Sequence, residues 1–349
     1  MGKVLLVSGP NPNIWRGGIE TYLLNLYDLL VDLGHTVELE YFEKYGLSTY
    51  NLEDFYTYGL ILSKKIESYD LLISNSIYGC FIPWSERSFV ICHGLYKSMA
   101  ENCIGSIGRI SYMDFYYKHG LMENLAYDGR KVISVSSPLT VDLIKRHRPA
   151  RVFTIRNCLD TELFSPRKIK RADNQLVGLF IGRRDVTKGY DIFSSLYRLT
   201  RGYVRWVQCL STGGLGNLEV LTDVETYENI PNKEVPDLYN LVDFVFFPSR
   251  YEGFGMVPIE ALACGKPVIA FQIGIFKTLS RFFPFLSLGH PTQGLEPTLL
   301  KALRIINMLK DEELRKHIGN VGRMLVVKYF DTKVWKRKWL RLLETMTLV

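Results

Sequence analysis

Apolar positions along this chain fall into short runs and helical stripes that alternate. The run over residues 3–8 predicts a buried strand. Residues 19–33 place Leu23, Leu26, Leu30 and Leu33 at helical spacing, and Gly34 stands where a helix C-cap belongs. Alternation over 36–41 predicts a strand, and runs over 71–74, 89–92 and 131–136 predict three more. Ser137-Pro138 opens a helix to about residue 146, and 151–155 reads as a strand. After a Pro-containing basic stretch over 164–174 the pattern restarts. Strands are expected over 176–181, 204–210, 242–247 and 267–271, with helices over 190–199 and 256–263 between them. Strands alternating with helices mean a doubly wound parallel sheet, and the restart means two of them. We therefore expect an α/β chain with a Rossmann-like domain over 1–165, a second over 172–331, and a hinge near 164–174. Three helical segments close the chain, over 299–309, 312–329 and 332–343. A final helix, about 332–349, is expected to pack back on the first domain.

That helix contains KVWKRKWLRLL, which alternates bulky apolar and basic residues. Two readings stay open. Either Trp335, Trp339 and Leu342 pack on the body and the charges face water, or part of the helix meets an anionic membrane surface. Residues 96–122, rich in Tyr, Met and Gly, are open in the same way, as an acceptor groove or a membrane-facing loop.

The length of 349 residues suits two cores better than one. The charge is uneven: residues 1–165 carry 16 basic and 18 acidic side chains, residues 166–349 carry 27 and 18. A basic second half suits an anionic ligand. Nucleic acid is disfavoured, because the basic residues match no reader motif. No apolar run reaches the roughly 20 residues of a membrane span, and the first strand is too short for a secretory signal. The six cysteines show no Cys-x-x-Cys pair and read as buried thiols of a reducing compartment. These features predict a cytoplasmic protein.

The densest chemistry lies over 248–260, PSRYEGFGMVPIE, which follows a strand and opens a helix. Gly253 and Gly255 let the backbone approach a ligand, and the N–H groups of the new helix favour an anion there. Glu252 and Glu260 stand on either side of that turn. Each carboxylate can accept hydroxyl hydrogen bonds, so the arrangement suits a polyol on each side of a phosphate. A nucleotide sugar has that shape.

This stretch resembles the Glu-x-Phe-Gly-x-x-x-x-Glu signature of the family 4 (group 1) retaining glycosyltransferases, which have the GT-B fold. Gly17-Gly18-Ile19-Glu20 with its helix, Val135-Ser136-Ser137, Asn157-Cys158-Leu159-Asp160 and Ile181-Gly182-Arg183…Lys188-Gly189 are similar to other landmarks of the family, in the family's order. The resemblance implies two Rossmann-like domains facing a central cleft. It implies that Arg183 and Lys188 neutralise a donor diphosphate, that Glu260 holds the ribose and that Glu252 holds the donor sugar. The Phe254 and Gly255 backbone would lie near the sugar and β-phosphate, Gly17 and Gly18 would approach the phosphates from the other domain, and His93 would lie near the donor sugar. Glu252 and His93 are thus the catalytic candidates. Gly17, Gly18, Arg183, Lys188, Gly253, Phe254, Gly255 and Glu260 are the donor-binding ones.

The sequence has no Asp-x-Asp, so no metal is expected, and fixed cations can stabilise the leaving diphosphate. No cofactor is expected beyond the co-substrate, a UDP- or GDP-sugar. The expected activity is retaining transfer, of a hexose, to a glycan, lipid-linked sugar or protein. Two alternatives are an inactive nucleotide-sugar-binding protein and a non-hydrolysing nucleotide-sugar epimerase. The sequence departs from the family at Cys158, at Arg184, and after Phe271, where no acid follows.

Overall fold

A computed structural model describes residues 2–14, 17–169, 175–211 and 218–346. The last part of the expected hinge (170–174), the expected start of the second domain (172–174) and the last residues of the expected final helix (347–349) lie outside them. Two six-stranded sheets, each wholly parallel in its pairings, organise the chain. Parallel strands need crossovers, and helices supply them and cover both faces.

The first sheet runs β2-β1-β3-β4-β5-β6, with β1 Lys3–Val7, β2 Thr36–Glu40, β3 Leu71–Asn75, β4 Ser88–Cys92, β5 Lys131–Ser134 and β6 Arg151–Thr154. The second runs β12-β11-β10-β7-β8-β9. Its strands are β7 Leu176–Arg183, β8 Val204–Ser211, β9 Glu225–Glu228, β10 Phe244–Phe247, β11 Val268–Phe271 and β12 Ser287–Gly289. Central strands are buried throughout, as in β4 and β10. That is why they read as continuous apolar runs rather than as alternation.

The residues group into two compact units. One holds Met1–Lys97, Met113–Cys158 and Lys333–Val349; the other holds Ser98–Tyr112 and Leu159–Thr332. In the first unit the helix Thr332–Glu344 buries Trp335, Trp339, Leu342 and Leu343. The Trp339 indole donates to the Tyr22 hydroxyl at 3.2 Å, and both tryptophan rings meet the Tyr22 ring edge-on. The tryptophans are therefore unavailable to a bilayer, while Lys333, Arg337 and Arg341 of this helix are exposed. In the second unit, Arg167 N–H donates to Asn240 Oδ1 at 2.7 Å and Asn240 Nδ2 to the Ser165 carbonyl at 3.0 Å. Phe164 is buried beside Tyr239. The described part of the expected hinge is thus tied to the second unit. Residues 96–122 form short helices, Tyr96–Asn102 and Arg109–Met113, and a π-helical turn, Asp114–His119. Among the described residues no helix is long and apolar enough to cross a membrane.

Candidate functional site

The strand order of the second sheet determines where a ligand can sit. β7, first of the unit, lies between β8 and β10, so the chain winds one way through β8–β9 and the other through β10–β12. At such a switch point the loops leaving adjacent strands part, and a crevice opens at their carboxyl ends. The two loops here are 183–189, after β7, and 248–255, after β10. They carry Arg183, Lys188, Glu252, Gly253, Phe254 and Gly255.

Each loop is built from identifiable contacts. The first wraps around Asp185: Arg183 Nε donates to Oδ2 at 2.9 Å, while Thr187 Oγ1 at 2.6 Å and the Lys188 N–H at 2.9 Å donate to Oδ1. It then turns at Gly189, whose φ is +72°, into the helix Tyr190–Thr200. The second loop is anchored by Arg250. Its guanidinium grips Asp191 with two hydrogen bonds of 2.7 Å, and it donates to the Val186 carbonyl at 2.5 Å. The Arg250 N–H donates to the Thr187 carbonyl at 2.8 Å. The second loop is thus stitched to the first by backbone and side chain together.

Across that seam Lys188 Nζ donates to Glu252 Oε1 at 2.5 Å, and Ser249 Oγ donates to the same oxygen at 2.7 Å. Both charged side chains are largely shielded, at 21% and 14% exposure. Arg183 is more open, at 40%. Gly253 and Phe254 are buried; the Phe254 carbonyl accepts from Ile275 N–H at 2.6 Å and its ring packs near Phe330. Gly255, at φ +85°, is the N-cap of the helix Met256–Ala263. That helix carries Glu260, half-buried, which accepts from the Tyr239 hydroxyl at 2.7 Å. Burial pushes the Glu260 carboxyl up to about 7, with the Tyr239 hydrogen bond pulling the other way.

A pH dependence follows. The unfolded chain releases this proton near its ordinary value of 4.5, the folded chain near 7. In that window the unfolded state binds fewer protons, so stability falls as pH rises from about 4.5 to about 7 and is level beyond. Glu260→Gln is expected to remove this part of the slope. Urea denaturation at pH 5 and pH 8 measures it, and an identical slope in wild type and variant would show an ordinary carboxyl.

Gly17, Gly18 and His93 belong to the first unit and stand at the carboxyl edge of its sheet. The first sheet switches winding between β1 and β3. Gly17 ends the loop after β1 and is the N-cap of the helix Gly18–Asp32, its N–H donating to Glu20 Oε2 at 3.0 Å. Asn75 closes β3, and His93 follows β4. His93 Nε2 donates to Asn75 Oδ1 at 2.6 Å, and its ring meets Tyr22 edge-on at 5.2 Å. Burial pushes the imidazole down to about 3, so it is neutral and its other nitrogen is an acceptor.

The structure therefore gathers Arg183, Lys188 and Glu252 with the Gly253–Gly255 turn, and gathers His93 with Asn75. The sequence reading missed Asp185, Thr187, Ser249, Arg250 and Tyr239. Asp185 had a local signal, an Asp two residues before a Thr in a turn. Thr187 and Ser249 meet partners two and three residues away but at no distinctive spacing, and Arg250 and Tyr239 meet partners 59 and 21 positions away.

Residues 162–281 match the family model described as glycosyl transferases group 1. The chain is 33% identical over 159 residues to D-inositol 3-phosphate glycosyltransferase 1 of Catenulispora acidiphila, an alignment that covers 38% of each chain. It is 27% identical over 350 residues to an uncharacterized glycosyltransferase of Methanocaldococcus jannaschii, covering 94% of each. The fold is that of sucrose-phosphate synthase from Thermosynechococcus elongatus, with TM-score 0.82, 16% identity and 99% of each chain covered. HepE of Anabaena, whose structure is of a complex with UDP and glucose, matches with TM-score 0.68 and 16% identity over 99% of this chain and 100% of that one. Both sheets share the GT-B pattern, residues 162–281 are similar to the group 1 glycosyl transferases, and the relatives are named glycosyltransferases.

Proposed function

We propose that this chain transfers a sugar from a nucleoside diphosphate sugar, a UDP- or GDP-sugar, to an acceptor, with the anomeric configuration retained and without a metal. The observation that carries the reading is the Lys188–Glu252 contact at the switch point, with Arg183 beside it on the same loop. A diphosphate leaving group gains negative charge as the glycosidic C–O bond breaks. Cations and helix N–H groups fixed in advance stabilise that charge without reorganising. Lys188 and Arg183 are the cations, and the turn at Gly253–Gly255 opens the helix Met256–Ala263 with its N–H groups.

Glu252, next to Lys188, suits the hydroxyls of the donor sugar, and Glu260 suits the ribose hydroxyls. A neutral His93 suits hydrogen bonding rather than proton transfer at ordinary pH. The roles of Gly17, Gly18 and His93 rest on the resemblance and on their place at the first sheet's switch point. HepE, which shares the fold, binds UDP and glucose, and that supports the donor class.

A thermal-shift screen of UDP-, GDP-, ADP- and dTDP-sugars tests the donor. A ligand at 100 times its Kd is expected to add roughly 2.7 kcal/mol of stability. Turnover is then expected to persist in EDTA, and the product anomer read by NMR is expected to match the donor's. Activity lost to EDTA and restored by Mn²⁺, or an inverted product, contradicts the corresponding half of the proposal. Epimer formation without an acceptor would replace transfer by epimerisation.

A further inference from the structure

Asp185 is buried, with no exposed surface, at the loop that carries both proposed phosphate-binding cations. An acid beside an anion site has two opposed effects. Its charge repels the ligand, and its hydrogen bonds can hold the cations in place. The contacts decide between them. Oδ2 takes the Arg183 Nε–H, which leaves the guanidinium's terminal nitrogens to point elsewhere; one lies 3.5 Å from Thr187 Oγ1. Oδ1 takes the Lys188 backbone N–H and the Thr187 hydroxyl, so the carboxylate also sets the direction in which the Lys188 side chain leaves the loop. The turn closes with backbone bonds from Tyr190 N–H to the Asp185 carbonyl and from Gly189 N–H to the Val186 carbonyl, both 3.2 Å.

Every direct partner of this carboxylate is a donor. Burial raises its pKa, but the hydrogen bonds from Thr187 and Arg183, the Arg183 charge and the Lys188 N–H outweigh burial, and the net shift is downward. The group is therefore an anion whenever the protein is folded at neutral pH. A buried anion interacts strongly with its hydrogen-bond donors, whereas its repulsion of a ligand in the solvent-facing crevice is weakened by water.

We infer that Asp185 is the positioning residue of the diphosphate site: it aims Arg183 by a charge-assisted hydrogen bond and fixes the base of Lys188 through its backbone. The inference rests on the reading of this loop as the diphosphate site. It assigns a role to a side chain that touches no ligand.

The test is calorimetry with UDP, GDP and the matching nucleoside monophosphates, on wild type, Asp185→Asn, Arg183→Ala and the double variant. Asparagine keeps the size and one acceptor oxygen, and removes the charge. In Asp185→Asn, affinity for the preferred nucleoside diphosphate is expected to fall about tenfold, and affinity for the monophosphate much less. In the Arg183→Ala background the same change is expected to cost clearly less, since residues acting through one another are not additive. A merely structural role would weaken both nucleotides equally and add fully to Arg183→Ala. Tighter diphosphate binding by Asp185→Asn would show that Asp185 acts as a charge brake, and would overturn the inference. If wild type binds neither diphosphate, the donor reading itself fails. If wild type binds one and the variant binds it as well, only the role of Asp185 fails.

Discussion

Replacing Gly189 by alanine is expected to destabilise the second unit by about 2–5 kcal/mol and to weaken nucleotide binding with it. Two independent terms give that range. At φ +72° Gly189 occupies the left-handed region, which costs an L-residue roughly 1–2 kcal/mol. A methyl group there would also lie 2.1 Å from the Pro248 carbonyl oxygen and 2.8 Å from its carbon. Backbone cannot swing aside like a flexible side chain, and such overpacking costs about 1–3 kcal/mol. The displacement would push loop 248–255 away from loop 183–189, against the Arg250–Asp191 clamp, and so part Lys188 from Glu252. Urea denaturation gives the loss of stability, and hydrogen exchange over β7 and β10 locates it. An unchanged midpoint with unchanged protection would show that the two loops are not tightly apposed.

Lys188→Ala is expected to lower kcat by about 10²–10³-fold, the usual effect of removing one preorganised donor from a developing negative charge. Affinity for the free nucleoside diphosphate is expected to fall less, by about 1.5–3 kcal/mol for a hydrogen bond involving a charged group. The kcat effect has a second source. Without Lys188, Glu252 keeps the Ser249 hydroxyl but loses its cation, and a shielded carboxylate without its cation is costly. For that reason Glu252→Gln is expected to cost less in the Lys188→Ala background than in wild type. Steady-state kinetics on the four proteins checks both statements. Unchanged kcat in Lys188→Ala would place the leaving group elsewhere.

The strands were legible in sequence where they are buried on both faces. β10 is an unbroken apolar run and β4 is one after Ser88, and the structure has them within a residue or two of the expected ends. Elements with other burial left weaker patterns. The helix Leu52–Ser63 buries Phe55, Tyr58 and Leu62, but Tyr56 and Leu60 on its outer face are apolar too, which blurs the stripe. β9 is ETYE, polar and at a sheet edge, and β12 has only three residues. The candidate site divides the same way. The Gly-rich turn and its two glutamates are adjacent in sequence and can be read together. The meeting of Lys188 with Glu252, 64 positions apart, depends on β7 pairing with β10. Tyr239 reaches Glu260 from a different helix, and no spacing announces it.

The seating of Trp335 and Trp339 against Tyr22 also concerns how the chain is made. Tyr22 and Trp339 are 317 positions apart. At about 5–20 residues per second on a ribosome, an interval of about 15–60 s separates their synthesis. Throughout it, the nascent first sheet stands without the helix that covers Tyr22, while the whole second unit is being translated. A ribosome-associated chaperone or a crowded polysome would meet that bare aromatic patch. Premature termination between residues 290 and 332 would leave it bare permanently, and the truncated product is expected to be held by chaperones or degraded even though every strand of both sheets is present.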